Sequence, residues 1–365
     1  MPGRLILRRF FSSSWNGMSY VEKVRLLDYW KLHDSKLLGD FNKSQLLLMI
    51  DKKPLIVGAE NGGMTLMVNS HAELKRKLGD YGLVFEPANS CLLDVVPNAA
   101  NKDFVPLLGT SVRTVEPPED SPVKREDVMK MLATTLGGRF MDLRMAMLTL
   151  AEERQRNLLA TFQSLMRWAD IYRRCPKCGT ALKMRLSKSA AECTYCVRVY
   201  YPTFSPVAIT LITDPTDEFA LLVRHKGSVN GVYTCVAGFA HSGETIADCA
   251  KREIAEEIGV EAKSIRSLGL SQPWPMPDSS LMCAHHAVCN MGDEIDVCFD
   301  ELESARWFSR EEVAKALKRT IEDPMLRNIP RDMAQRQELA YVPPQGAIAH
   351  RLIKLWVENK FKAIK

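Results

Sequence analysis

The sequence predicts an α/β protein of several domains. Three observations support this prediction. Short apolar runs such as Leu46–Ile50 have the length of buried strands, and none approaches the roughly 18–20 residues that would span a bilayer. An apolar stripe at helical spacing between Ala247 and Ile258 predicts a helix that packs on a sheet. Two C-x2-C cysteine pairs indicate a small metal-binding element between the larger parts.

Composition narrows the class of protein further. The chain has 365 residues, which fits two or three domains, and its 46% hydrophobic and 25% charged residues exclude a globally disordered, collagen-like or coiled-coil protein. A net charge of +5 does not indicate a dedicated nucleic-acid binder. The ten cysteines are mostly scattered and follow no secretory signal, so we expect a reducing compartment rather than a disulfide framework.

The order of the parts follows from local composition. Residues 1–17 carry three arginines and several serines, and the first acidic residue is Glu22, which predicts a mitochondrial transit peptide. The alternative is a basic tail without a targeting role. The remaining divisions are an N-terminal α/β domain at 18–123, a helical connector at 124–172, a zinc ribbon at 173–202 and a further domain at 203–360. In the N-terminal domain, strands are expected at Leu46–Ile50, Leu55–Gly58 and Met64–Val68.

The two cysteine pairs predict a structural zinc site. Cys175 and Cys178 are separated by two residues, as are Cys193 and Cys196, and 14 residues lie between the pairs. Each pair forms a tight turn that aims two thiolates at one ion, and two such turns complete a tetrahedral zinc site with no open position. Buried thiols without metal and a redox pair are the alternatives.

Three glutamates on the predicted helix point to a divalent cation. Glu253, Glu256 and Glu257 stand at i, i+3 and i+4 and therefore share a face, where their charges repel one another. Mg²⁺ or Mn²⁺ relieves that repulsion because both ions prefer oxygen ligands, and such ions commonly bind substrate phosphates. Taken alone, a solvated acidic face is the commoner interpretation of such a cluster.

The wider pattern resembles the Nudix box. From Gly238 to Val260 the chain matches G-x5-E-x7-R-E-U-x-E-E-x-G-U at every fixed position, where U is a bulky aliphatic residue. The resemblance implies an α/β/α sandwich with a mixed sheet and an enzyme that hydrolyses nucleoside diphosphates linked to another group. A Nudix fold that only binds nucleotides would be marked by loss of a box glutamate, and none is lost.

A second segment resembles the NADH pyrophosphatase family of Nudix hydrolases. Residues 271–279 read SQPWPMPDS, similar to the family signature SQPWPFPxS with Met276 in place of Phe. The zinc ribbon, Tyr200-Tyr201-Pro202, the Nudix box and this loop occur in the family's order, although Thr203 stands where Arg or Gln is expected. Taken alone, the proline-rich loop would be read as a rigid structural loop.

The resemblance implies roles for individual residues. Glu253, Glu256, Glu257 and Glu301 match carboxylates that hold catalytic Mg²⁺ or Mn²⁺, and Arg252 is expected to orient them, with a plain surface charge as the alternative. The positions that match substrate contacts are Tyr201, Phe239, Ser271, Gln272, Trp274, Ser279 and Ala349. For Ala349, simple helix packing is an equally good interpretation.

The expected reaction is hydrolysis of NADH or NADPH to reduced nicotinamide mononucleotide and AMP or 2′,5′-ADP. Removal of NAD caps from RNA and hydrolysis of another derivative such as ADP-ribose are the alternatives. The sequence lacks a continuous basic run interleaved with aromatic residues, which argues against a specialised RNA surface. We further expect a homodimer in the mitochondrial matrix without membrane contact, and a cytoplasmic or peroxisomal location is the alternative.

Overall fold

The computed structural model describes residues 18–59, 63–98, 103–114, 125–329, 333 and 338–361. The predicted transit peptide lies outside these residues. The chain divides into two compact units, one ending at Thr203 and the other beginning at Phe204. The finer boundaries expected near 123, 172 and 360 stay predictions.

The first unit is built on a mixed sheet with strand order β3-β2-β1-β6-β5. Its central strand β1 pairs parallel with β6 and antiparallel with β2 and β4. The strands are β1 (Gln45–Ile50), β2 (Lys53–Gly58), β3 (Met64–Leu66), β4 (Val68–Ser70), β5 (Ser90–Pro97), β6 (Phe104–Val112) and β7 (Arg139–Phe140). The helices are α1 (Tyr20–Leu32), α2 (Asp34–Asp40), α3 (His71–Gly79), α4 (Arg125–Leu136), α5 (Leu143–Thr149) and α6 (Glu153–Ile171).

Two details of this unit differ from the sequence prediction. The strand expected at Met64–Val68 is divided at Met67, because β3 pairs with β2 whereas β4 pairs with β1. The segment 124–172 is mainly helical, as expected, yet β7 within it pairs with β2 and so joins the N-terminal sheet. The segment therefore forms part of the first unit's packing and is more than a connector.

The cysteine pairs lie in a small antiparallel sheet within the first unit. Its strands are β8 (Leu182–Met184), β9 (Ala191–Cys193) and β10 (Val199–Tyr200), in the order β10-β9-β8. Cys178 and Cys193 place their sulfur atoms 3.5 Å apart, and Cys175 and Cys196 do the same. The two turns that carry the pairs therefore meet at one cluster.

The second unit contains a six-stranded mixed sheet with order β14-β15-β11-β12-β16, and β13 also pairs with β11. The strands are β11 (Ser205–Thr213), β12 (Phe219–His225), β13 (Val236–Phe239), β14 (Ala262–Trp274), β15 (Ser280–Cys289) and β16 (Leu302–Ser309). β11 and β15 are parallel, while the other pairs are antiparallel. The mixed sheet expected for the catalytic domain is therefore present.

Helices cover both faces of this sheet and confirm the α/β/α sandwich. Helix α7 (Ile246–Ile258) packs its buried Ile254 and Ile258 against sheet residues on one face. Helices α8 (Arg310–Glu322) and α9 (Ile348–Val357) bury Leu317, Ile353 and other side chains against the opposite face. Within the described residues, no helix combines the length and apolar character needed to cross a membrane.

Helix α7 has well-defined ends. The Thr245 hydroxyl accepts a hydrogen bond from the Asp248 backbone N–H at 3.1 Å and so caps the first turn. Gly259 ends the helix with a left-handed φ of 65°, a conformation in which most side chains are strained. A methyl group at Gly259 would also come within 2.7 Å of the Asp296 Cβ atom. The position of the helix end therefore requires glycine.

We expect Gly259→Ala to destabilise the second unit by about 2 kcal/mol or more, because backbone strain and the clash with Asp296 add together. That loss lowers Tm by at least about 4 °C in a thermal melt followed by circular dichroism. Gly292→Ala is the control, since Gly292 has room for a methyl group and no left-handed φ. Equal Tm values for the two variants would contradict this account of the helix end.

Candidate active site and cysteine cluster

The three glutamates of α7 occupy different depths. Glu253 and Glu257 are buried on the side that faces the sheet, with exposed fractions of 8% and 2%. The Glu256 side chain, one turn from Glu253, is 57% exposed. The i, i+3, i+4 spacing thus places two carboxylates in the protein interior and one at its edge.

Arg252 donates hydrogen bonds to two of these three carboxylates. Its Nη1 atom donates to Glu253 Oε1 and to Glu256 Oε2, each at 2.7 Å. Its Nε and Nη2 atoms donate to both carboxylate oxygens of Glu244, at 2.8 and 3.0 Å. The Nη2 atom also donates to the Phe239 carbonyl oxygen at 2.8 Å. One guanidinium therefore joins the loop before the helix, the end of β13 and two helix glutamates.

Glu244 belongs to the site although the sequence analysis did not name it as a site residue. Its hydrogen bonds from Arg252 and from the His241 backbone N–H lower the pKa of the Glu244 carboxyl to about 2. The carboxylate therefore stays ionised and holds Arg252 in place. The fixed acidic position of the box, six residues after Gly238, was the signal that could have identified it.

Gly238 makes room for Glu253. A Cβ atom built on Gly238 would overlap the Glu253 carboxylate. The first glycine of the box therefore permits a carboxylate to lie directly against strand β13. Burial raises the pKa of Glu253, and the neighbouring Arg252 opposes that effect.

Glu257 is a buried acid that forms no ion pair within the described residues. Burial, together with the nearby charges of Glu253 and Glu301, raises the pKa of its carboxyl to about 8. Its Oε2 atom has no hydrogen-bond partner in the described part of the chain. An orphaned buried carboxylate oxygen beside two further carboxylates fits a hard divalent cation, so the residues present suit Mg²⁺ or Mn²⁺.

Glu301 reaches the site from another element. It lies one residue before β16, and its carbonyl oxygen accepts a hydrogen bond from the Lys226 backbone N–H at 2.9 Å. Its charge acts on both Glu253 and Glu257. The structure thus brings Glu301 near Glu253 and Glu257, while Glu256 lies at the exposed edge of the helix. That all four carboxylates bind one metal centre stays a prediction.

The proline-rich segment forms the end of a β-hairpin. Trp274, the last residue of β14, pairs with Ser280, the first residue of β15, so the connection is short. The peptide bond between Met276 and Pro277 is cis. The Ser279 carbonyl accepts a hydrogen bond from the Ser205 backbone N–H at 3.0 Å and ties the hairpin end to β11. Trp274 and Ser279 are partly exposed, and Ser271 is exposed.

Gln272 makes structural contacts with the C-terminal helix. Its amide nitrogen donates to the Gly346 carbonyl and its amide oxygen accepts from the Ile348 N–H, both at 2.7 Å. Both ends of this buried side chain are therefore used within the protein, and the second contact caps α9. Ala349, the next residue of α9, is 3% exposed and lies in the hydrophobic core. Ala349 therefore packs α9 against the core of the second unit.

The two aromatic residues expected to contact substrate lie in different units. Phe239 is 45% exposed at the end of β13, directly beside the Arg252 cluster. Tyr201 belongs to the first unit and is 63% exposed. Phe239 is thus grouped with the glutamates by the fold of the second unit, whereas Tyr201 is carried by the end of the ribbon segment in the first unit.

The four cysteines form a set of ligands suited to one metal ion. Within the described residues, theirs is the only group of three or more His, Cys, Asp or Glu ligand atoms within 4.8 Å of one another. Burial alone would raise the pKa of Cys175, but the Tyr200 hydroxyl, 3.1 Å away, and nearby backbone N–H groups lower it to about 6. A thiol that ionises readily is suited to metal binding.

Comparisons with known proteins agree with this site. A model of the NUDIX domain matches residues 203–329. The NAD-capped RNA hydrolase ndx-9 of Caenorhabditis elegans is 59% identical over 98% of this chain and 95% of its own length. The mitochondrial NAD(P)H pyrophosphatase NUDT13 of Mus musculus is 33% identical over 94% and 92%. The human protein of that name is 40% identical over 63% and 62%. The chain therefore belongs to the Nudix hydrolases of the NADH pyrophosphatase type.

Proposed function

We propose that the protein hydrolyses the diphosphate of NADH and NADPH, consuming one water molecule and releasing reduced nicotinamide mononucleotide with AMP or 2′,5′-ADP. The observation that carries this proposal is the buried Glu257 carboxylate, which lies near the charges of Glu253 and Glu301 and whose Oε2 atom has no hydrogen-bond partner within the described residues. Full-length similarity to an NAD(P)H pyrophosphatase supports the choice of substrate. ADP-ribose contains the same diphosphate and is therefore the alternative substrate.

The carboxylates have distinct roles in this proposal. Glu253, Glu256, Glu257 and Glu301 hold Mg²⁺ or Mn²⁺. When bound, such a cation neutralises the charge that develops on the diphosphate oxygens. Arg252, fixed by Glu244, orients Glu253 and Glu256 and limits their mutual repulsion.

Substrate selection falls to groups outside the helix, because the glutamates can recognise only the diphosphate that many dinucleotides share. Exposed or partly exposed side chains at the hairpin end and at β13 offer surface for the variable parts of the substrate; these are Phe239, Ser271, Trp274 and Ser279. Tyr201 is proposed to contribute a further aromatic face. Gln272 and Ala349 act by seating α9 against the hairpin.

A second candidate function is removal of NAD caps from RNA, which breaks the same diphosphate bond. The relative named for that activity is 59% identical to this chain over nearly its full length. A nucleotide chain attached to the adenosine side leaves the nicotinamide side and the diphosphate unchanged. One set of catalytic residues therefore serves both substrates.

The remaining assignments concern assembly and location. We propose that the cysteine cluster holds one structural Zn²⁺, since four thiolates leave no open position for chemistry. We also propose a homodimer and import into the mitochondrial matrix, with a cytoplasmic or peroxisomal location as the alternative. Similarity to proteins named as mitochondrial supports a mitochondrial location.

The substrate assignment predicts a ranking among five compounds assayed with the purified protein and Mg²⁺ or Mn²⁺: NADH, NADPH, NAD⁺, ADP-ribose and RNA with a 5′ NAD end. We expect NADH or NADPH to be cleaved with a higher kcat/KM than ADP-ribose, with products separated by chromatography.

Glu256→Gln should lower kcat on all substrates by about two orders of magnitude or more, because it removes a proposed metal carboxylate. The variant should stay folded, since the Glu256 side chain is largely exposed. Glu261→Gln, an exposed acid just beyond the helix, is the control.

Preference for ADP-ribose would contradict the substrate assignment. Full activity of Glu256→Gln with an unchanged cation requirement would contradict the catalytic one.

The buried Glu257 carboxylate predicts a gain in stability when its charge is removed from the cation-free protein. The pKa of Glu257 is about 8 in the folded protein, whereas the ordinary value for a glutamate is 4.5. Between pH 4.5 and pH 8 the folded protein therefore holds a proton that the unfolded chain has lost. Stability therefore falls as pH rises through this window. In EDTA at pH 8, Glu257→Gln should be more stable than the wild type by at least about 1 kcal/mol.

The same melts test the cation. Adding Mg²⁺ should raise the Tm of the wild type and of Glu261→Gln, but raise that of Glu257→Gln far less. A Glu257→Gln protein that is less stable than the wild type in EDTA would show that the carboxylate is satisfied within the protein.

The zinc assignment predicts one Zn²⁺ per chain by elemental analysis and its loss in Cys178→Ser. The folding of a four-thiolate site depends on its metal, so this variant should also melt at a lower temperature. Cys283→Ser, which alters a cysteine outside the cluster, is the control and should retain its zinc. A wild-type protein without zinc would refute the assignment.

A further inference from the structure

The charge of the chain is unevenly distributed. The zinc ribbon, residues 173–202, contains seven lysines and arginines and a single acidic residue, Glu192. Residues 204–365 contain 19 lysines and arginines against 23 acidic residues. Even the charge of −2 on a zinc ion with four thiolates leaves the ribbon positive. A polyanion is therefore attracted to the ribbon and not to the catalytic unit as a whole.

Part of this positive charge is neutralised locally, since Arg173 pairs with Asp170 and Arg185 pairs with Glu192. Glu192 already accepts hydrogen bonds from Arg185, the shorter at 2.6 Å. Lys177, Lys183 and Arg198 are exposed. Glu192 lies opposite Lys183 in the sheet, but Arg185 holds its carboxylate. These three cations are available to phosphate groups of a ligand.

Large apolar side chains are exposed beside these cations. Tyr195 is 79% exposed and Val197 is 84% exposed, both within or directly after the second cysteine turn. Val197 has a φ of 51°, a strained conformation for a β-branched residue. The sulfur contacts between the pairs bring the turn that carries Lys177 and the turn that carries Tyr195 to one cluster. The fold thereby joins a basic and an aromatic surface that are separate in the sequence.

We propose that the zinc ribbon binds the single-stranded RNA chain that follows a 5′ NAD end. Lys177, Lys183 and Arg198 contact phosphates, and the Tyr195 ring stacks on a base. An exposed aromatic ring among exposed cations is the arrangement that binds single strands without sequence preference. This inference rests on the second candidate function above and adds to it the surface that recognises the RNA body.

The experiment compares two substrates of the full-length protein, NADH and an RNA of about 15 nucleotides with a 5′ NAD end. The first variant combines Lys177→Gln, Lys183→Gln and Arg198→Gln, and the second is Tyr195→Ala. Their matched controls are Lys263→Gln with Lys315→Gln and Lys318→Gln on the catalytic unit, and Tyr20→Ala, whose ring is 78% exposed. Elemental analysis confirms that each variant retains its metal.

We expect each ribbon variant to lower kcat/KM on NAD-linked RNA about tenfold while leaving kcat/KM on NADH unchanged. The triple variant should also reduce the slope of log(kcat/KM) against log[salt] by about 2, since each phosphate contact on a single strand contributes roughly 0.7. The control variants should behave as the wild type on both substrates. Unchanged cleavage of NAD-linked RNA, or equal losses on both substrates, would overturn the proposal.

A binding measurement separates this proposal from the proposed activity. Fluorescence anisotropy with the same RNA bearing a 5′ hydroxyl group needs no hydrolysis, and the ribbon variants should weaken that binding about tenfold. If the protein fails to hydrolyse any dinucleotide but shows this loss, the catalytic proposal fails and the RNA surface stands. If hydrolysis is intact and the RNA affinity is the same in all variants, the RNA surface is refuted.

Discussion

The active site depends on the mutual repulsion of several carboxylates that lie close together. Three of them belong to helix α7, whose other buried residues are apolar. Arg252 resolves part of this conflict by bonding to Glu244, Glu253 and Glu256 at once. The other part is unresolved, because Arg252 does not bond to Glu257, whose Oε2 atom has no hydrogen-bond partner within the described residues. The burial of this carboxylate costs stability, which a cation bound there, as proposed, would restore.

Several backbone features serve this arrangement. Gly238 leaves the space that the Glu253 carboxylate occupies, and Gly259 ends the helix where a side chain would meet Asp296. The Thr245 side chain caps the other end by accepting a hydrogen bond from the Asp248 backbone N–H. Small changes at these positions move carboxylates without touching them, so they influence the chemistry through geometry alone.

The sequence predicted the helix, its glutamates and the cysteine cluster because each depends on local spacing, which a chain carries in its own order. It did not predict that Gln272 bonds to Gly346 and Ile348, since that contact joins residues more than 70 positions apart. The core position of Ala349 was left open for the same reason. The basic and aromatic surface proposed for the ribbon was also missed, because the turns that carry Lys177 and Tyr195 meet only through the sulfur contacts of the folded cysteine cluster.

The Gln272 contacts affect how the S-Q-P-W-P motif should be read in other chains. The glutamine amide donates to one backbone carbonyl from its nitrogen and accepts from one backbone N–H at its oxygen, whereas an ionised Glu would lose the first bond and Leu would lose both. A glutamine at this point of the motif therefore reports how a distant helix is seated. It would persist in a descendant enzyme that had exchanged one dinucleotide for another. Trp274 and its exposed neighbours are therefore better evidence for the substrate than the buried glutamine of the same motif.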